Sequence, residues 1–528
     1  MNRILTASAP LVLAATAFAQ CPATWVYSVD QTAPLAPNGP INAFTTYDPD
    51  GEGFRDEVLI AAGLFTTAGG QVVNNIALWE GDGWQPLAGG VNGEVRALMS
   101  YGTGFIAGGT FTMAGDVPVS NIAYWTGWEW QALDDGLNGP VNALAWHNGQ
   151  IWAGGAFTAS AGIPLQHVAR FGGDGWTPLG GGVDGEVLAM TTYDGYLVVG
   201  GTFDNAGVVA SANIARWNGL VWSGFGPGVN GTVRALSRDR DDLYVGGDFT
   251  HVGALEVNHI ARWDTLAWNA LGTGTNAPVT AIYADDIVYA AGDFSQAGGN
   301  AADQVAKWQD NTWSRLPGGV GPGTPAVNAV MPFITEVVFG GSFTTAGGSE
   351  SAGFARWNET NAPWIAVHPA DTRLTLENTF TFECKIARGY DTSAMTTVWY
   401  HDSNEVTNGL AGAGEGGGVV SGANTLTLHI DEATPADFGW YEVEITAPCG
   451  GMMSYPGRAL DRCDSIDFNG DELFPDTLDI DDFLSVFSGG PCTNDPACGD
   501  VDFNNDGLFP DTLDIDSLLS VFSGGPCI

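Results

Sequence analysis

Short apolar runs broken by glycine-rich turns fill the first two-thirds of the chain. From Val95 to Leu133 the pattern predicts four strands: residues 95–98, 105–111, 121–125 and 130–133, with turns at Tyr101-Gly102 and Asn138-Gly139. No helical period is present in the unit. The unit then repeats. Phe65, Phe111, Phe157, Phe203, Phe249, Phe294 and Phe343 recur every 45 to 49 residues. Such a period means supersecondary units that bury their apolar faces only against their neighbours.

Paired glycines (Gly108-Gly109, Gly154-Gly155, Gly200-Gly201, Gly246-Gly247) are expected where adjacent units approach too closely for a side chain. Trp84, Trp130, Trp176, Trp222, Trp268 and Trp313 mark six outer strands. The seventh unit ends at Trp357 without one, while an orphan outer strand lies near Trp25. Pairing the two would complete the last unit and leave no open edge. The expected architecture is mainly β: a seven-bladed β-propeller over residues 20–362, closed by the N-terminal strand. A curved open solenoid is the alternative.

The recurring pattern GG-x-F-T-x-A-G, N-I-A-x-W and W-x-x-L resembles the kelch-like propeller repeats of exported bacterial proteins, over about residues 22–361. That resemblance implies a fold and almost nothing about activity, since propellers host enzymes, lectins and protein-binding platforms.

The repeats stop near Asn361. Residues 363–462 carry Cys384, Trp399 and the run Asp437-Phe438-Gly439-Trp440-Tyr441. These resemble the B-strand cysteine, C-strand tryptophan and tyrosine corner of an Ig-like β-sandwich. Val443 stands where that family has its second cysteine. The resemblance implies a shifted Cys384–Cys449 bridge with Cys21 left over, although composition leaves the pairing open. Such domains serve as spacers or adhesive modules.

Residues 463–528 hold a tandem acidic repeat. Asp467, Asn469 and Asp471 match Asp502, Asn504 and Asp506; Asp476 and Asp479 match Asp511 and Asp514. Oxygen ligands at alternate positions of a tight loop suit Ca2+, so these ten residues are the candidate metal ligands. Ile480, Phe483, Leu484 and Phe487 follow at helical spacing, as do Ile515, Leu518, Leu519 and Phe522. Loop and helix together resemble a small α-helical, calcium-binding dockerin type I module with EF-hand-like halves. Leu478 and Leu513 occupy the position of the closing acid, and Glu472 replaces a turn glycine that Gly507 keeps. Cys463 with Cys492 and Cys498 with Cys527 bracket the two repeats and are expected to pair.

Residues 1–19 combine Arg3, the apolar run at Leu11, Val12 and Leu13, and Ala17-Phe18-Ala19, the pattern of a signal peptide cleaved before Gln20. The expected location is secreted or cell-surface associated. Seventeen Lys and Arg against 60 Asp and Glu give a formal charge of −43, which disfavours nucleic acid and anionic membranes as partners. No later run is long enough for a transmembrane segment.

Seven scattered histidines make no metal-ligand spacing, and no G-x-S-x-G elbow occurs. No catalytic residue is assigned. The first inter-strand turn varies between units: Tyr47, Tyr101, Trp146-His147, Tyr193, Asp239 and Asp285. These residues either form a ligand rim or pack between units. A second variable zone covers residues 71–73, 117–120, 163–166, 208–212, 254–257 and 300–303. The expected function is a monomeric, non-enzymatic binding or adhesion scaffold for a protein partner or an extracellular glycan, tethered by its calcium-binding tail. The alternative is a carbohydrate-active enzyme with a docking tail.

Overall fold

The computed structural model describes residues 21–33, 35–49, 57–173, 175–321, 323, 327–375, 378–410 and 417–460, together with residues 480, 483, 484, 515 and 517–519. The chain splits into two compact units. The first takes in the described residues up to Ala366 plus Ile386–Ser393 and Pro448–Gly450; the second takes in Val367–Lys385, Ala394–Ala447 and the described residues beyond Gly451.

Each sequence repeat in the first unit folds as one four-stranded antiparallel sheet. The second sheet is typical: Val95–Tyr101, Gly104–Gly109, Ile122–Trp125 and Trp130–Ala132, each strand paired with the next. The second strand ends before Phe111, which instead sits buried beside a two-strand hairpin, Met113–Ala114 with Val117–Pro118. The other six repeat phenylalanines are buried in the same way. The seventh sheet takes its outer strand from the start of the chain. Thr24–Val26 pairs antiparallel with Phe354–Asn358, placing Trp25 opposite Trp357.

Three devices repeat from sheet to sheet. Every first strand carries a bulge, from Ile41/Ala43 in the first sheet to Val327/Ala329 in the seventh. The bulged residue reaches the neighbouring sheet: Asn42 Nδ2 donates to the Val95 carbonyl at 3.1 Å, and Asn142 Nδ2 to the Val187 carbonyl at 2.9 Å. Four outer-strand tryptophans donate Nε1–H toward the preceding sheet: Trp176 to the Leu133 carbonyl, Trp222 to Leu179, Trp268 to Phe225 and Trp313 to Leu271. The glycine pairs have two separate causes. A Cβ on Gly108 would lie 2.5 Å from Val141 Cγ1 of the next sheet, whereas one on Gly109 would strike the Glu94 carbonyl at the bulge of its own sheet.

The second unit is an Ig-like pair of sheets. One has the order Thr372–Arg373, Gly457–Leu460, Gly439–Ala447, Thr396–His401 and Asn404–Glu405, with its first pair parallel; the other has Phe380–Glu383, Thr427–Asp431, Val419–Ser421 and Gly409–Leu410. Phe382 stacks on Tyr441 with centroids 4.6 Å apart, Trp399 is fully buried, and Tyr441 Oη donates to the Asp437 carbonyl at 2.9 Å. Sulfur pairing departs from expectation. Cys384 is buried and free, while Cys449 lies in the turn after Ala447 and bonds to Cys21.

The fold class read from the sequence is corrected. The described chain is nearly all β, and beyond residue 460 only Ile480, Phe483, Leu484, Ile515, Ser517, Leu518 and Leu519 are described, all helical. These do not amount to an α-helical dockerin-like module. A closed seven-bladed propeller is likewise not retained as the fold class. Strand pairing is decided within one repeat, so the period dictates a four-stranded sheet but leaves the global class open. The signal peptide, all ten candidate calcium ligands and the cysteines of the C-terminal repeats lie outside the described residues.

Candidate functional site

Antiparallel alternation brings the turn between strands one and two and the turn between strands three and four to the same end of each sheet. Thr103 Oγ1, in the first turn of the second sheet, donates to the Thr126 carbonyl in the other at 3.0 Å. This end carries every residue of the first variable rim.

Most of that rim is packing. Tyr47 is buried against Phe105, with centroids 5.8 Å apart. Tyr193 is buried and its hydroxyl donates to the Asp241 carbonyl; burial, then Asp194 and Asp242, push its pKa up to about 12. His147 is buried edge-on to Trp152, and desolvation holds its pKa below the usual value. Tyr101 lies between Tyr124 and Trp146, 5.3 Å from each, with Trp146 half exposed.

The acids of the rim gather on the fifth and sixth sheets. Burial raises the Asp239 pKa, and Asp285, Asp286 and Asp242 add to the rise against Arg240. Asp285 accepts from Tyr283 Oη at 3.2 Å, and Asp286 from Arg240 Nη2 at 2.5 Å. Sequence reasoning missed a further set at the same end: Trp128, Leu220 and Leu266 are 82%, 82% and 86% exposed at turn tips. The available signal was an apolar residue directly after Gly127, Gly219 and Thr265, inside a turn.

The second variable zone falls on the small hairpins at the opposite end, where Val72, Ile163, Val208 and Leu255 are exposed. The first strands of all seven sheets line one cavity of about 320 Å³, and its lining includes Ala43, Ala97, Arg234, Thr280 and Asn328. No carboxylate is among the described residues that line it. Among the described residues no group of three or more His, Cys, Asp or Glu is placed to hold a metal ion, and no helix is long and apolar enough to cross a membrane.

No protein-family model matches this chain, and no curated protein matches it. The similar solved structures include Ig-like domains. A titin M4 domain is 18% identical with a TM-score of 0.15, covering 19% of this chain and 95% of its own. The N-terminal Ig1-2 module of Drosophila receptor protein tyrosine phosphatase DLAR is 12% identical with a TM-score of 0.16, covering 43% and 95%. The human B7-H4 IgV-like domain is 13% identical with a TM-score of 0.14, covering 19% and 96%. At such scores the likeness carries no functional argument. The Ig-like character of the second unit stands on its own two sheets, Trp399 and the Tyr441 corner.

Proposed function

We propose that the chain is an extracellular, non-enzymatic binding or adhesion scaffold, in which the seven sheets of the first unit hold turn tips out to a partner and the Ig-like unit serves as a spacer or second adhesive module. One observation carries this reading: large apolar side chains stand exposed at the turn tips of a frame whose sheets already bury extensive apolar cores. The C-terminal acidic repeats enter it as a calcium-dependent tether, supported by the alternate spacing of Asp467, Asn469 and Asp471 and of Asp502, Asn504 and Asp506.

The test is binding of the full exported chain to its own cell envelope, with calcium and with chelator, beside a truncation lacking residues 463–528. Calcium-dependent binding lost on truncation supports the tether. Binding that survives both chelator and truncation removes the tether and leaves the sheets as the recognition surface. No binding in any condition sinks the scaffold reading.

A further inference from the structure

Single exposed leucines are ordinary on a protein surface. Here Trp128, Trp146, Leu220, Val221, Leu266 and Ile334 share one end of the first unit, spread over five of its sheets. The backbone does not drift into this arrangement. Thr265 holds φ +76° directly before Leu266, and Ile334 itself sits at φ +55°. β-Branched residues in the left-handed region cost free energy that the surrounding sheets must offset.

Acids outnumber cations at this end. Asp194, Asp239, Asp241, Asp242, Asp285 and Asp286 occupy adjoining turns of the fourth, fifth and sixth sheets. The cations on these sheets near this end are Arg216, Arg238, Arg240, Arg262 and Lys307; Arg240 pairs with Asp239 and Asp286, Arg262 with Asp242 and Lys307 with Glu359. Among the aromatic residues at the same end Trp128 stands open to solvent, whereas Tyr101, Tyr124 and Trp146 pack on one another. Tyr101 meets Tyr124 at 76° and Trp146 at 54°, so the three rings occupy one another.

Resting on the reading of the chain as a binding scaffold, we propose that this turn end docks a cationic protein segment that also bears apolar side chains. Its lysines or arginines would meet the aspartates of sheets four to six. Its apolar side chains would cover Leu220, Leu266 and Trp128, removing from water the surface that the frame leaves exposed.

The experiment captures three equal-length peptides on the full chain: one alternating Lys with Leu, one Lys with Ser and one Glu with Leu. The Lys/Leu peptide is expected to bind, weakening as salt rises; Lys/Ser should bind less well and Glu/Leu not at all. The triple variant Asp239→Asn/Asp285→Asn/Asp286→Asn and the double variant Leu220→Ser/Leu266→Ser are each expected to weaken capture about tenfold. A control pair at the opposite end, Val72→Ser/Val208→Ser, should leave it unchanged, with thermal melts checking that all variants fold. Equal binding of the Glu/Leu peptide, or losses no larger at the turn end than in the control, overturns the inference. Envelope binding that persists without Lys/Leu capture rejects the cationic partner and keeps the scaffold. Capture without envelope binding rejects the scaffold and keeps the docking surface.

Discussion

Arg356 and Glu336, diagonal to each other on adjacent strands of the seventh sheet, form a two-pronged ion pair, 2.7 Å on each side, with both side chains fully shielded from water. Trp364 Nε1 and Tyr390 Oη also donate to Glu336, and Arg356 Nη1 donates to the Arg388 carbonyl. The same repeat position carries Arg216 and Arg262 in earlier sheets, where the side chains stay partly exposed. In the seventh sheet, Trp364 and Ile386–Ser393 cover it. Glu336→Gln should therefore cost about 3–5 kcal/mol by leaving a buried guanidinium without its counter-charge. Urea unfolding of the variant measures it, and a cost below 1 kcal/mol would show that water reaches the pair.

The Cys21–Cys449 bridge joins residues 428 apart. Peptide mapping without reduction should recover that link. Replacing both cysteines by serine should lower stability by up to roughly 6 kcal/mol on the chain-entropy account for a loop of that size. Recovery of a Cys384–Cys449 peptide instead would refute the pairing.

Cys384 is buried in the Ig-like core, and desolvation pushes its pKa up to about 12. A thiol so placed presents almost no thiolate at neutral pH. It should resist iodoacetamide in the native protein and react once denatured. Rapid labelling under native conditions would contradict its burial.

His147 and His259 both have pKa values pushed below 6.5 by burial. The unfolded chain binds their protons first as pH falls, so stability drops from about pH 6.5 downward until the lower native values are passed. His147→Gln should flatten part of that slope in pH-dependent melts. An unchanged slope would mean His147 does not titrate with unfolding.

Gly200 abuts the next sheet so closely that an added Cβ would overlap Val233 Cγ1. Gly200→Ala is expected to cost about 1–3 kcal/mol through overpacking. Gly195, with nothing within 4 Å, is the control for close approach, although its φ of +75° carries its own strain.

Local structure was legible because it is written locally. The strand pattern around Phe111, the glycine pairs, the outer-strand tryptophans and the pairing of the Trp25 strand with the Trp357 strand all follow from side-chain spacing. Beyond the strand count, which left one orphan strand for one open edge, what depends on distant chain was not. The cysteine partner of Cys449 lies at the other end of the sequence, and the burial of Arg356 depends on a segment some thirty residues later. The name of the fold class was read from the repeat period and strand count, the dockerin-like tail from acidic-loop and helical spacing and a resemblance, and neither is upheld. At the candidate site, the sequence found the rim turns but not the exposed tips, since an apolar residue in a turn reads as core until the structure shows it uncovered.

Thr24–Val26 can pair only with a strand made more than 300 residues later, Phe354–Asn358. During synthesis six sheets can close in order of emergence, each from a contiguous stretch. The seventh must wait, with one open edge on its own three strands and another on the strand already made. Its completion is therefore the step most exposed to mispairing with a second nascent copy, and the moment at which the chain first becomes safe from its neighbours.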